Sequence, residues 1–342
     1  MNNSERISKR MHFLLRRVFD KDNYTVFRES VSRQLAVGSI LDMSEYQSLK
    51  CAWFDAAPKC GLDTHKSNAV VFASSYSWSL SKVIYTFDPD ILESLQSIRW
   101  SDIRNQPIDL LTKLPVDNFV IDTGNTFRFK GMDSDFISVH VERDPKFKHP
   151  ITFRMIFGGA DMKADGDFGI QPIHLYLDAM DKNLTFADIY KLNCERAKTS
   201  GEYSGSALSE VFGTIKRMFV LTIPYILYLC SKNAEISQTI NSKSSYRPYS
   251  NMPKDDYSEI REYICGEPTG IRIRNFRNAQ HSGSGHRSGS AKSPHVRRAH
   301  YHRFWVGSGE DRHQVIRFLP QTIIHPELID YMKPVSVKLK SS

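Results

Sequence analysis

The sequence predicts an α+β fold, and three observations carry that prediction. Apolar residues recur at helical spacing in the first sixty residues, with Ile7, Met11, Leu14, Leu15 and Val18 on one side of an opening segment. The period changes to two between Leu114 and about Phe157, the mark of half-buried strands. A basic, aromatic stretch near residue 300 alternates again and turns back on itself at a Gly-rich loop. The expected architecture is N-terminal helices, a central antiparallel β-meander with packed helices, and a C-terminal basic β-hairpin segment. The chain divides on the same reading into four parts: 1–80, a helical region; 81–235, an α+β core; 236–293, a loop and flexible basic Gly/Ser linker region; and 294–342, the hairpin segment.

Each element has a local cause. Val26 to Leu41 repeats the helical pattern of the opening segment. In "TFDPDILESLQ", Asp88 caps a helix, Pro89 takes its first position and Asp90 adds charge that favours the dipole. "DNFVIDTG", "NTFRFKG", "FISVHVERD" and "ITFRMIFGG" are short strands between Gly, Asp and Pro turns. "DMKADGDFG" holds Asp161, Asp165 and Asp167 but fails the calcium-loop spacing, so a hairpin turn is expected there and no metal. Thr185 and Asp188 form a capping box, and an apolar helix from Ala207 to Cys230 is expected to kink or break near Pro224. Residues 238–256 look like an exposed loop, and "HSGSGHRSGSAKS" like a flexible basic tract.

Composition narrows the function classes. Hydrophobic residues make up 40% of the 342 and charged residues 25%, as in an ordinary globular protein. Five scattered cysteines with no CxxC pair signal neither a disulfide framework nor a thiolate zinc site, and suit a cytoplasmic location. The N-terminus lacks a secretory h-region, and the longest apolar run, Met218 to Cys230 with Pro224 inside, is too short to span a bilayer. No Walker or Rossmann glycine signature, nucleophile elbow or HExxH occurs.

Charge is concentrated in one place. Residues 271–317 hold ten Lys and Arg against Glu310 and Asp311, and six of the twelve histidines; elsewhere 36 basic residues face 36 acidic ones. Such a segment is the electrostatic footprint of a polyanion partner, most often nucleic acid. At its centre lies "SPHVRRAHYHRFWVGSG", with three His, three Arg, three aromatics and no carboxylate. As one strand it sets Arg298, His300, His302, Phe304 and Val306 on one face and His295, Arg297, Tyr301, Arg303 and Trp305 on the other. "RHQVIRFLP" returns beside it, and "QTIIHPE" continues the sheet.

Three chemistries fit these residues. In the first, Arg297, Arg298, Arg303 and Arg317 bond phosphate oxygens while Tyr301 and Trp305 stack on unpaired bases, with His300 and His302 alongside. In the second, His300 and His302 act as base and acid of a metal-independent ribonuclease, an arginine balancing the phosphorane. The third, zinc held by His300, His302 and His295 or His313, is opposed by four nearby arginines, so no metal or other cofactor is expected. The two histidines also serve equally well as plain sheet residues bonding backbone carbonyls.

The same residues resemble a known family. Pro294, His295, Arg297, Arg298, His300, Tyr301, His302, Phe304, Trp305 and Gly307 are similar to the C-terminal signature of the type V-A anti-CRISPR family whose best-known member lowers the messenger RNA of a type V-A CRISPR nuclease. "IPYILYLC", "TFDPDIL" and "LPVDNFVID" fall in matching order, so the likeness runs from about residue 85 to 325. Ala299 and Tyr301 depart from the family's Gly and Trp, and the first eighty residues match nothing in it. The resemblance implies a phage or plasmid regulator that evades host defence. Its body would recognise the nascent N-terminal stretch of a target polypeptide, with a type V-A CRISPR nuclease as the candidate. The basic segment would engage messenger or ribosome-associated RNA, with a host nuclease as a further candidate partner. An exposed sheet edge or a groove beside the helices suits such a peptide. No membrane is expected as partner; a general nucleic-acid-binding regulator is a further alternative, its plain DNA-binding form disfavoured because no helix-turn-helix is evident.

Overall fold

The structure is a computed structural model that describes residues 21–41, 43, 45–64, 66–129, 132–143, 151–159, 171–175, 184–201, 203–239, 260–282, 295–320 and 322–324. The opening helix expected at residues 7–18, the acidic turn at Asp161, Asp165 and Asp167, and most of the Gly/Ser tract lie outside the described residues.

Among the described residues three α-helices come first: α1 (Lys21–Leu41), α2 (Glu45–Ala56) and α3 (Lys66–Ser81). They share a small core in which Phe27, Trp53 and Phe72 meet with ring centroids 5.4 to 5.6 Å apart. Gly38 is there for space, because a Cβ at that position would come within 2.0 Å of the Ser48 hydroxyl.

The chain then enters a sheet of seven strands: β1 (Val83–Phe87), β2 (Asn118–Phe129), β3 (Met132–Arg143), β4 (Ile151–Gly159), β5 (Gln171–Leu175), β6 (Ile236–Gln238) and β7 (Arg261–Cys265). Their spatial order is β5-β4-β3-β2-β1-β7-β6. Strands β2 to β5 form the expected antiparallel meander. The sheet as a whole is mixed, since β1 runs parallel to both β2 and β7.

Alternation along β1 separates the two faces. Val83, Tyr85 and Phe87 enter the main core, while Ile84 and Thr86 share the opposite face with Val120 and Asp122, their partners on β2. On the core face lie α4 (Pro89–Gln96), the short α5 (Trp100–Ile103), α6 (Phe186–Thr199) and α7 (Gly205–Leu229). On the other face Tyr46 of α2 packs against His140 of β3, ring centroids 4.9 Å apart.

Helix α7 runs unbroken through Pro224. Its second half, from Met218, is buried, with Tyr225 and Tyr228 edge-on to Phe87 at 5.4 Å. The predicted caps form: the Asp88 carboxylate accepts from the Asp90 N–H, and the Thr185 and Asp188 side chains each bond the other's backbone.

The segment assigned to loop and linker, 236–293, needs correction. It contributes β6, β7 and helix α8 (Glu267–Ser282), and β7 sits between β1 and the edge strand β6. Three carboxylates fix α8. The Glu235 side chain accepts from the Thr269 N–H in its first turn, and Asp88 and Asp90, both buried, receive Arg274 Nη1 at 2.6 to 2.9 Å. Gly270 makes room for this cluster, since a Cβ there would lie 1.9 Å from Asp88 Oδ1.

Candidate nucleic-acid interface

The C-terminal ribbon is two short pairings rather than one long strand. β8 (His295–Arg297) pairs with β11 (Thr322–Ile324), and β9 (His300–Val306) with β10 (His313–Leu319). The break falls at Arg298 and Ala299. Ala299 is fully buried, which leaves no room for a continuous solvent-facing ribbon. Arg297 lies on β8 opposite Thr322; its side chain lies outside what the structure describes.

The β9–β10 hairpin is part of the main core. Tyr301, Ile316 and Phe318 join the cluster built by α7 and the sheet. Tyr301 is 5% exposed, donates its hydroxyl to the Pro224 carbonyl and packs on Phe318 at 5.5 Å. Burial pushes its phenol well above the ordinary range, so it stays neutral. The expectation that Tyr301 stacks on a base is therefore corrected. Its ring is covered by the protein, and its hydroxyl has its partner in the Pro224 carbonyl. Asn233 ties the hairpin down a second time, donating to the Phe318 carbonyl and accepting the Phe318 N–H.

Beyond Tyr301 the same ribbon turns outward. Trp305 is 58% exposed, the Arg312 guanidinium stacks on its indole at 4.7 Å, and Arg303 reaches across to Gln314 at 3.5 Å. On the second face His302 stands opposite Arg317, Arg317 covers the Phe304 ring at 5.3 Å, and the His302 and Phe304 rings are 4.5 Å apart. His302, Arg303, Trp305, Arg312, His313 and Arg317 are all exposed. Arg303, Arg312 and Arg317 make no ion pair among the described residues. Stacked guanidinium planes keep their N–H groups free at the rim for phosphate oxygens, and an exposed indole is a platform for a base.

Two predicted residues are partly committed elsewhere. Arg298 lies 3.7 Å from Asp102 of α5, and the half-buried His300 directs Nδ1 at the Arg298 carbonyl, 3.1 Å away. Arg312 was not among the predicted residues, and His313 was weighed only as a zinc ligand. Both follow the turn "GSGED", and hairpin register returns the first basic residue after the turn to the side of Trp305. Among the described residues no group of three or more His, Cys, Asp and Glu stands close enough to hold a metal ion.

A family model described as AcrVA2-like, the anti-CRISPR type V subtype A2 family, matches residues 85–326. The chain belongs to that family. The match opens inside β1 and closes just past β11, so it takes in the sheet, the core helices and the hairpin. Among solved structures, one titled "Crystal structure of AcrVA2" is similar with a TM-score of 0.53 and 16% identity, covering 91% of this chain and 98% of that one. At that identity the likeness is one of fold. Because residues 85–342 cannot alone supply 91% of the chain, it reaches into the N-terminal helices. No curated protein sequence matches.

Proposed function

We propose that this anti-CRISPR family member represses expression of its target in the cytoplasm by recognising a nascent N-terminal polypeptide and engaging the RNA that encodes it through the β9–β10 hairpin. The observation that carries this reading is the exposed rim of Trp305, Arg312, Arg303 and Arg317, anchored by Tyr301 and Phe318. A rigid root with cations and an indole at its tip binds single-stranded RNA with little sequence choice. Selectivity must then come from another contact, and a peptide supplies it. The candidate target remains a type V-A CRISPR nuclease, and cleavage by a host nuclease is compatible with the scheme.

The test is capture of ribosome-associated messages by the full chain, alongside a chain carrying Arg303→Ala and Arg317→Ala. Enrichment of a few messages, lost on recoding their first codons and weakened in the double variant, is the expected result. Enrichment that ignores the encoded peptide overturns it.

A second reading has its own observation: His300 and His302 share a strand face, and Arg317 stands opposite His302. That is the layout of a metal-independent ribonuclease. RNA cleavage that resists chelator and vanishes in His302→Ala would select it over the binding reading.

A further inference from the structure

Strand β6 ends the sheet, and its hydrogen bonding shows which groups are left over. The Gly266 N–H donates to the Glu235 carbonyl at 2.8 Å, and the Thr239 N–H to the Glu262 carbonyl at 3.0 Å. With Ser237 opposite Ile264, residues 235, 237 and 239 are thus the ones bonded to β7. In an antiparallel ladder the residues between them face the other way. Ile236 and Gln238 therefore present their N–H and C=O groups at an open edge that no described strand covers.

The side chains there lack the usual protection. Edges are blunted by charge, proline or bulges. The opposite edge strand, β5, carries Pro172, whereas Ile236, Ser237 and Gln238 include neither charge nor proline. On the core face an apolar row runs from Phe87 through Cys265 to Ile236, which is 37% exposed and has no strand neighbour beyond it among the described residues. On the other face Glu262 is 6% exposed, and among the described residues its Oε2 has no hydrogen-bond partner, nor do the hydroxyls of Thr239 beside it and Thr86 diagonally across β1. A buried carboxylate oxygen without a donor is costly unless something supplies one.

We propose that the β6 edge is a docking strand for an extended polypeptide in which an apolar residue lies beside Ile236 and an adjacent lysine or arginine reaches Glu262. Strands lie about 4.8 Å apart, so an added strand stands roughly 10 Å from β7, within the summed reach of a long basic side chain and a glutamate. Only Ser237 and Thr239, both small, lie on that face between them. Alternation then dictates the motif: apolar residues on one side of the added strand, and a basic residue next in sequence on the other. This assignment rests on the peptide-recognition reading above and names its site.

The experiment selects random decapeptides by messenger-RNA display against the full chain and measures the winners by fluorescence anisotropy. Apolar residues alternating with one Lys or Arg are expected. Gln238→Pro removes an N–H that points away from β7, so the chain should keep its melting temperature and bind about tenfold more weakly. Replacing the selected basic residue by leucine should weaken binding to the unaltered chain but not to Glu262→Gln. A selection that yields no binder, or binders indifferent to Gln238→Pro, overturns the site. So does concentration-dependent dimerisation abolished by Gln238→Pro, which would assign the edge to a second copy of the chain. Message capture that survives Gln238→Pro refutes this dock and leaves nascent-peptide recognition standing. Selected peptides that bind at β6 without any message capture do the reverse.

Discussion

Arg274 and Arg317 come from the same basic window of sequence and do opposite things. Arg274 is half-exposed but already committed, its guanidinium bonded to the buried Asp88 and Asp90. Arg317 lies on an exposed strand face with an aromatic ring beneath it and no carboxylate in contact among the described residues. The contrast teaches that net charge read along a chain is not the charge a partner meets. The first arginine holds α4 and α8 together, and only the second is available to phosphate.

Substitutions that separate these two uses should rank in a definite order. Arg274→Ala leaves two buried carboxylates facing each other without their cation, and stability should fall by about 3 kcal/mol or more, read as a drop in the urea midpoint. RNA affinity measured below the melting point should stay unchanged, and a matching loss of affinity would erase the distinction. Trp305→Ala should do the converse: melting within about 0.5 kcal/mol of the parent, and RNA binding weaker by roughly 1 to 3 kcal/mol. Arg317→Ala should flatten the salt dependence of binding, by about 0.7 in the log–log slope for single-stranded RNA.

Tyr301→Phe sharpens the comparison within the hairpin itself. It removes the hydroxyl donated to the Pro224 carbonyl and should cost about 1 kcal/mol of stability while sparing RNA affinity, since that ring never meets solvent. The smallest effect is expected at the α6 cap. Hydrogen bonds from Thr185, side chain first and then backbone, hold the Asp188 carboxyl below its usual range. A carboxyl whose pKa is depressed by folding stabilises the native state above its unfolded value of about 3.9, and that contribution fades as pH falls through the folded value. Thr185→Ala should therefore lower stability by about 1 kcal/mol or less near neutrality, and the gap should close in acid titration monitored by circular dichroism.

Much of the fold was legible where the signal was local. Asp88 and Pro89 announce a helix start, Thr185 and Asp188 another, and period-two alternation marks the meander. The pairing of β1 with β7 was not legible, because parallel neighbours need no turn between them and so leave no local trace. α8 was hidden by its composition: Gly270 and a run of Arg and Asn give little apolar periodicity, and its place is set by Asp88 and Asp90, which lie far back in the chain. At the hairpin, alternation correctly divided residues 300–306 into two sets, but it did not say where along a set the core ends. Tyr301 and Trp305 share one face, and packing against α7 and Phe318 separates buried anchor from exposed platform.

The position of β7 also orders the birth of the molecule. β1 is made early, yet one of its two parallel neighbours arrives only with residues 261–265, after the whole meander, α6 and α7. Closing so long a loop is entropically slow, and until it closes one side of β1 is a raw strand edge and Arg274 has not reached the aspartates that await it. The apolar face of α7 meets the same delay, since Tyr301 and Phe318 are made later still. The chain is thus committed to folding late, and a truncation anywhere before residue 265 cuts into the strand that joins β6 to the rest of the sheet.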